Sequence, residues 1–276
     1  MNIILITILV LSGAIIGIIS SLLGIGGGIL LVPILLHIFL GMGIPLNISM
    51  KLAVGTALSI IFLTSIGGAY YHNKKNSILW KCVFFLGFFG IIGSIIGVYI
   101  STHYLSGNFH KVLFGILLSI LSINIFLSSI FNRKKLSNVE TIPFCTDINY
   151  FVISLLGLIV GIISSIFGIG GGVIIIPFLN IIVKMPLRLA IGTSVGTMVI
   201  ISFSGTLGYL LSKGPHIDGI YNIGYVSLLV VGIMVPVGIL FSKLGTELSH
   251  STRPIFLRIL LSIVMFIAGV KMIFYT

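Results

Sequence analysis

Residues 17–33, GIISSLLGIGGGILLVP, return 144 residues later as 161–177, GIISSIFGIGGGVIIIP, with 11 of 17 positions identical. Each copy is an apolar run broken by Gly-Ile-Gly-Gly-Gly and closed by a proline, Pro33 or Pro177. Glycine admits backbone conformations that interrupt a helix. Irregular backbone inside a membrane survives only where protein or a lined cavity covers it. A break repeated at matching positions of two halves points to a transporter whose binding site lies between them. The other reading is close helix packing, which small residues also allow.

The rest of the chain fits a membrane. It is 58% hydrophobic and 7% charged, with a mean hydropathy of +1.31. A soluble domain carries about 25% charged residues. Apolar runs of helical length recur from end to end, and the short alternating segments of a barrel do not occur. The fold expected is therefore an all-α polytopic membrane protein. Its net charge of +11 comes from basic residues scattered between the apolar runs. That is flanking charge facing a lipid bilayer, not a nucleic-acid surface. Cys82 and Cys145 occupy unmatched positions and suggest neither a disulfide nor a metal site; no cofactor is expected. Residues 2–23 lack a basic leader and end inside the duplicated motif, so they read as a retained helix. The sequon Asn47-Ile48-Ser49 is ascribed to chance.

Ten helical segments are expected, five per half: 2–23, 29–42, 52–71, 78–101 and 111–131, then 148–167, 173–185, 188–212, 220–242 and 254–275. Residues 1–131 form a first membrane repeat, 132–147 a cytoplasmic linker and 148–276 a second repeat. The second and seventh segments are too short to cross a core of about 30 Å. Because proline belongs in the first turn of a helix, those two helices are expected to begin near Val32 and Ile176. Five segments per half inverts the second half relative to the first. With both termini outside, 11 of the 15 basic residues fall at the cytoplasmic face and 4 at the outer face. Eight crossings with parallel halves give 8 against 7, so inversion explains the charges better.

Amides after each break lack helical acceptors and lie at the positive end of a helix dipole. Two such ends brought together near mid-membrane make an anion site without a basic side chain. The expected ligands are the hinge glycines Gly24, Gly26, Gly27 and Gly28 with Gly168, Gly170, Gly171 and Gly172. Candidate hydroxyls are Ser20, Ser21, Ser164 and Ser165, together with Thr56 and Thr193 of the matched pairs Gly55-Thr56 and Gly192-Thr193. A lone membrane serine or threonine bonds back to its own helix; the duplication is what makes this set a candidate. Lys51 and Arg188 each precede Leu-Ala-(Val/Ile)-Gly-Thr. Inversion puts them at opposite mouths, where a cation raises the local concentration of an anion. The competing role is snorkelling to headgroups. The glycine run is not a dinucleotide loop, since no acidic residue follows about 20 residues on.

The duplicated G-IISS-x-x-GIGGG-x-x-x-x-P, followed by Lys51-LAVGTA and Arg188-LAIGTS, resembles the TauE/SafE sulfite-exporter-like family. The resemblance covers nearly the whole chain. It implies a bacterial inner-membrane permease for small sulfur-containing or carboxylate anions, such as sulfite and sulfonates, and places the family's motif glycines on the eight hinge glycines. Export is expected, with import of a carboxylate or sulfur anion as the alternative.

The four acidic residues, Glu140, Asp147, Asp218 and Glu247, fall in expected loops or linker, and His37 is the one histidine inside an expected apolar segment. His37 reads as a packing residue. Without a carboxylate relay, export driven by the membrane potential, or by a proton carried on the substrate, is the expected coupling. No catalytic constellation is present, so an intramembrane enzyme is not expected. A scaffold has no need of broken helices.

Overall fold

The structure, a computed structural model, describes residues 3–23, 27–131, 149–217, 220–251 and 254–274. Among them are ten helices: α1 (Ile3–Leu23), α2 (Gly28–Gly41), α3 (Leu46–Lys74), α4 (Trp80–His103), α5 (Gly107–Phe131), α6 (Tyr150–Phe167), α7 (Gly172–Ile181), α8 (Leu187–Leu211), α9 (Leu228–Ser251) and α10 (Pro254–Phe274). A small antiparallel hairpin, β1 (Asn222–Ile223) and β2 (Val226–Ser227), leads into α9. The chain is thus an all-α polytopic membrane protein. Helices α3, α4, α5, α6 and α8 are long and apolar enough to cross a membrane. Their outer faces are apolar too, with Phe84, Phe88, Ile95 and Tyr99 of α4 all exposed.

Several boundaries differ from those expected. Helices α2 and α7 begin at Gly28 and Gly172, four residues before Val32 and Ile176. Left-handed Gly27 (φ 68°) and Gly171 (φ 86°) turn the chain straight into helix. Pro33 and Pro177 then sit at the sixth helical residue, where each removes one hydrogen bond, to the carbonyl of Ile29 or Val173. Helix α3 starts at Leu46, directly after Pro45, so Lys51 is inside the helix and not on its flank. Helix α9 starts at Leu228 and runs to Ser251, so Glu247 belongs to a helix and not to a loop. Helix α5 starts at Gly107 and takes in His110; His72 and His103 also lie within helices. His37 is therefore not the only helical histidine.

The packing pairs cross between the halves. Helix α1 lies against α9 and α4 against α6, while α3 packs on α8 and α5 on α10. First helix meets fourth helix twice, and third meets third, as a two-fold relation between halves would produce. Glycine makes these contacts close, as in membrane helix pairs generally. A β-carbon placed on Gly17 would lie 2.5 Å from the Gly238 carbonyl oxygen, and one on Gly157 2.5 Å from that of Leu86. Between α4, α6 and α8, Ser94 Oγ and Ser165 Oγ are 2.6 Å apart. The buried Tyr209 hydroxyl donates to the Ser165 carbonyl at 2.9 Å and lies 2.6 Å from Ser101 Oγ.

Candidate functional site

The second glycine break is described in full. Helix α6 ends at left-handed Gly168, whose amide donates to the Ser164 carbonyl at 2.7 Å. Helix α7 starts four residues later, at Gly172, and its hydrogen bonds begin with Ile174 and Ile175 donating to the Gly171 carbonyl. No side chain caps this end. The amides of Gly172 and Val173 are consequently without an acceptor among the described residues, at the positive pole of a helix dipole and buried.

The break sits at half height. A β-carbon on Gly170 would meet Ile61 Cγ2 at 2.9 Å and Met198 Cε at 3.3 Å. Ile61 and Met198 are each one residue from the midpoint of their helix, α3 and α8. The start of α2 comes to the same place: a β-carbon on Gly28 would lie 2.5 Å from the Gly168 carbonyl oxygen and 2.6 Å from Ile61 Cδ1. The structure thus brings Gly28 against Gly168 and Ile169 of the second break. Gly24 and Gly26 lie outside the described residues, as do the side chains of Ser20 and Ser21.

The remaining hydroxyl candidates divide. Ser164 Oγ is buried without a partner among the described residues, and its Cβ lies 3.9 Å from a β-carbon placed on Gly171. Ser165, by contrast, is engaged with Ser94. Thr56 and Thr193 are engaged as well, and symmetrically. Thr193 Oγ1 accepts the amide of Leu79, which precedes α4; Thr56 Oγ1 accepts the amide of Ser227, which precedes α9; both distances are 3.0 Å. The adjacent glycines make room for the same two loops. A β-carbon on Gly192 would run into the Ser77 carbonyl, and one on Gly55 into the Tyr225 carbonyl. Each Gly-Thr pair therefore docks the start of the other half's fourth helix.

Lys51 and Arg188 are equivalent in sequence and unlike in structure. Lys51 is buried, and its Nζ donates to the Thr102 carbonyl at 2.7 Å, at the C-terminal, negative end of α4. Its ammonium also lies 5.8 Å from the centroid of the Tyr225 ring. Arg188 is exposed at the start of α8. His37 is exposed, and its Nδ1 is 2.8 Å from the Pro33 carbonyl oxygen, one turn back along its own helix.

Sequence reasoning missed His110, because its helix begins earlier than the apolar pattern indicates. The ring is fully buried, with Nε2 2.6 Å from the Ile166 carbonyl oxygen and Nδ1 unpartnered. A carbonyl only accepts, so Nε2 carries the hydrogen. Ile166 is in the last turn of α6, where carbonyls lack helical donors; His110 supplies one, two residues before the break. The break was the available signal: any buried donor near it has an orphan carbonyl to serve. Among the described residues no three His, Cys, Asp or Glu side chains gather to hold a metal.

Comparison with known proteins gives a consistent result. The model of the family described as Sulfite exporter TauE/SafE matches residues 9–272. The chain is 36% identical over 269 residues to a probable membrane transporter protein of Methanocaldococcus jannaschii, covering 98% of this chain and 96% of that one. It is 26% identical to the probable membrane transporter protein YunE of Bacillus subtilis, covering 97% of each. A probable membrane transporter protein of Haemophilus influenzae is 29% identical over 86% of each chain. No solved structure matches.

Proposed function

We propose that this chain, which belongs to the sulfite exporter TauE/SafE family and is a multi-pass membrane transporter and not an enzyme, carries small sulfite-type and organosulfur oxyanions outward across the cell membrane, in bacteria the inner membrane. The anion binds where the two glycine breaks meet, between repeats inverted relative to each other with both termini outside. The observation that carries this reading is the start of α7. There, two amides without an acceptor among the described residues and the unpartnered Ser164 hydroxyl are buried at the break whose Gly168 carbonyl meets Gly28 of the other half. Amides at a helix start bind oxyanions through partial charge and hydrogen bonds. Such a site holds the ion without a fixed cation, which favours release. An interior-negative potential favours outward movement of an anion by about 2.3 kcal/mol per charge per 100 mV.

The test is uptake and efflux of labelled sulfite and methanesulfonate in sealed vesicles holding the purified protein. Saturable outward flux that a negative interior accelerates is expected. Flux in the inward direction alone would make the protein an importer. Absence of flux for both anions, from protein that is folded, would overturn the substrate class.

A further inference from the structure

Helix α8 carries six serines and threonines beyond Thr193: Ser194, Thr197, Ser202, Ser204 and Thr206 within it and Ser212 at its end. Half of them behave as membrane hydroxyls ordinarily do, bonding back to their own helix. Thr197 donates to the Thr193 carbonyl at 2.9 Å, Ser204 to that of Ile201 at 3.1 Å and Ser212 to that of Gly208 at 2.7 Å. Ser194, Ser202 and Thr206 do not. All three are buried, and none of their hydroxyl oxygens has a partner among the described residues.

These three share one face. Ser194, Met198, Ser202 and Thr206 are spaced by four, which stacks them in a single row along the helix. The remaining member, Met198, reaches Gly170 of the glycine break. The row therefore passes the proposed anion site at mid-height. Its 12-residue span is about 18 Å, more than half of a hydrocarbon core of about 30 Å. Ser164, likewise unpartnered, faces the same break from α6.

Helix α3 holds the equivalent row in the first half. Aligning Thr56 with Thr193 places Ala57, Ile61, Ser65 and Ala69 opposite Ser194, Met198, Ser202 and Thr206. Two hydroxyls are replaced by methyl groups. The third, that of Ser65, donates back to the Phe62 carbonyl at 3.0 Å. The two halves share their hinges but not this lining.

We propose that the Ser194–Ser202–Thr206 row, with Ser164, lines the permeation path of an oxyanion, and that the α3 row is its dry wall. This rests on the transporter reading above. Each hydroxyl can rotate its hydrogen toward a passing oxygen, and none is held by a competing acceptor. Neutral donors in series let an ion enter and leave, where a fixed cation would hold it.

Single cysteines at 164, 194, 202 and 206, and at 57 and 69 as controls, test this in a Cys82→Ser, Cys145→Ser background. The probe is the anionic thiol reagent sulfonatoethyl methanethiosulfonate, with modification read by mass on vesicle-embedded protein. Row positions should react at least about tenfold faster than 57 and 69, and excess methanesulfonate should slow them. Equal reaction of both rows, an inert α8 row, or reaction without protection would each overturn the proposal. Because the readout is on the protein, it decides the row whether or not flux is found. Flux with an inert row sinks this inference alone; no flux of either anion sinks the earlier reading. If a cysteine variant fails to insert, Ser202→Ala and Thr206→Val replace it. Loss of a hydrogen bond to a charged ligand should weaken methanesulfonate binding about tenfold, and Ala57→Ser should leave it unchanged. Unchanged binding in Ser202→Ala and Thr206→Val would overturn the proposal.

Discussion

The hydroxyl of Thr193 accepts the amide hydrogen of Leu79 at 3.0 Å, across 114 residues of chain. Thr56 does the same for Ser227 at 3.0 Å. Each bond satisfies an amide just ahead of a helix, in the manner of an N-cap supplied from another helix. Thr193→Ala and Thr56→Ala should each cost about 1 kcal/mol, read as a lowered melting temperature in detergent, and Thr→Ser should restore it. The hydroxyl hydrogens remain available to a ligand. A weakened apparent affinity with unchanged melting would return both residues to the substrate.

Gly192→Ala and Gly55→Ala should be worse. The new methyl meets backbone, the carbonyls of Ser77 and Tyr225, which cannot turn aside as a flexible side chain would. Overpacking of this kind costs about 1–3 kcal/mol. Gly41→Ala, where a β-carbon meets nothing within 4 Å, is the control and should melt like wild type. Equal melting of all three variants would show that the loops are not seated on these glycines.

Gly28→Ala drives a methyl into the Gly168 carbonyl and Ile61, prying apart the two breaks. Transport in vesicles should fall at least about tenfold, the rate equivalent of about 1.4 kcal/mol, with insertion retained. Wild-type flux in this variant would mean that the meeting of the breaks is not where the anion passes.

Lys51 and Arg188 should respond differently despite their matched positions. Lys51→Met removes a buried charged hydrogen bond to the Thr102 carbonyl, worth about 1.5–3 kcal/mol of stability. Arg188→Gln changes an exposed side chain and should shift stability by less than about 0.5 kcal/mol. If Arg188 guards the cytoplasmic mouth, its loss weakens apparent affinity from that side at low salt, and the effect fades as salt is added. Equal melting of the two variants would contradict the burial of Lys51.

His110→Gln keeps a donor near the Ile166 carbonyl, whereas His110→Leu leaves that carbonyl bare inside the protein. An unpaired buried acceptor costs about 1–3 kcal/mol. Hydrogen exchange at Gly168 and Ile169 should quicken in the leucine variant and stay slow in the glutamine variant. Equal exchange in both would show that His110 does not secure the end of α6.

The helices were readable because their apolar runs are long and the turns between them carry proline, glycine or charge. Residues 46–51 were not assigned to α3 because Asn47, Ser49 and Lys51 look like loop in isolation. In the fold, Ser49 donates to the Ile44 carbonyl and Lys51 to that of Thr102, so tertiary partners satisfy what local composition could not. The hinge duplication was visible as identity. The roles of Thr56 and Thr193 were not, because their partners are 171 and 114 residues away. Nor was the division of α8's hydroxyls into bonded and unbonded, since residue type is the same in both groups and only packing separates them.

The pairing of α1 with α9 and of α4 with α6 has a consequence for biosynthesis. When the first five helices have left the ribosome, α1, α3, α4 and α5 all lack the helix of the second half that each packs on, and the hydroxyl of Thr56 has no amide to receive. The glycine face of α1 must wait in lipid until α9, the last helix but one, is inserted. A chain halted before α9 is thus a substrate for quality control and not half a transporter, and the two repeats, made as separate polypeptides, should assemble only when both are present together.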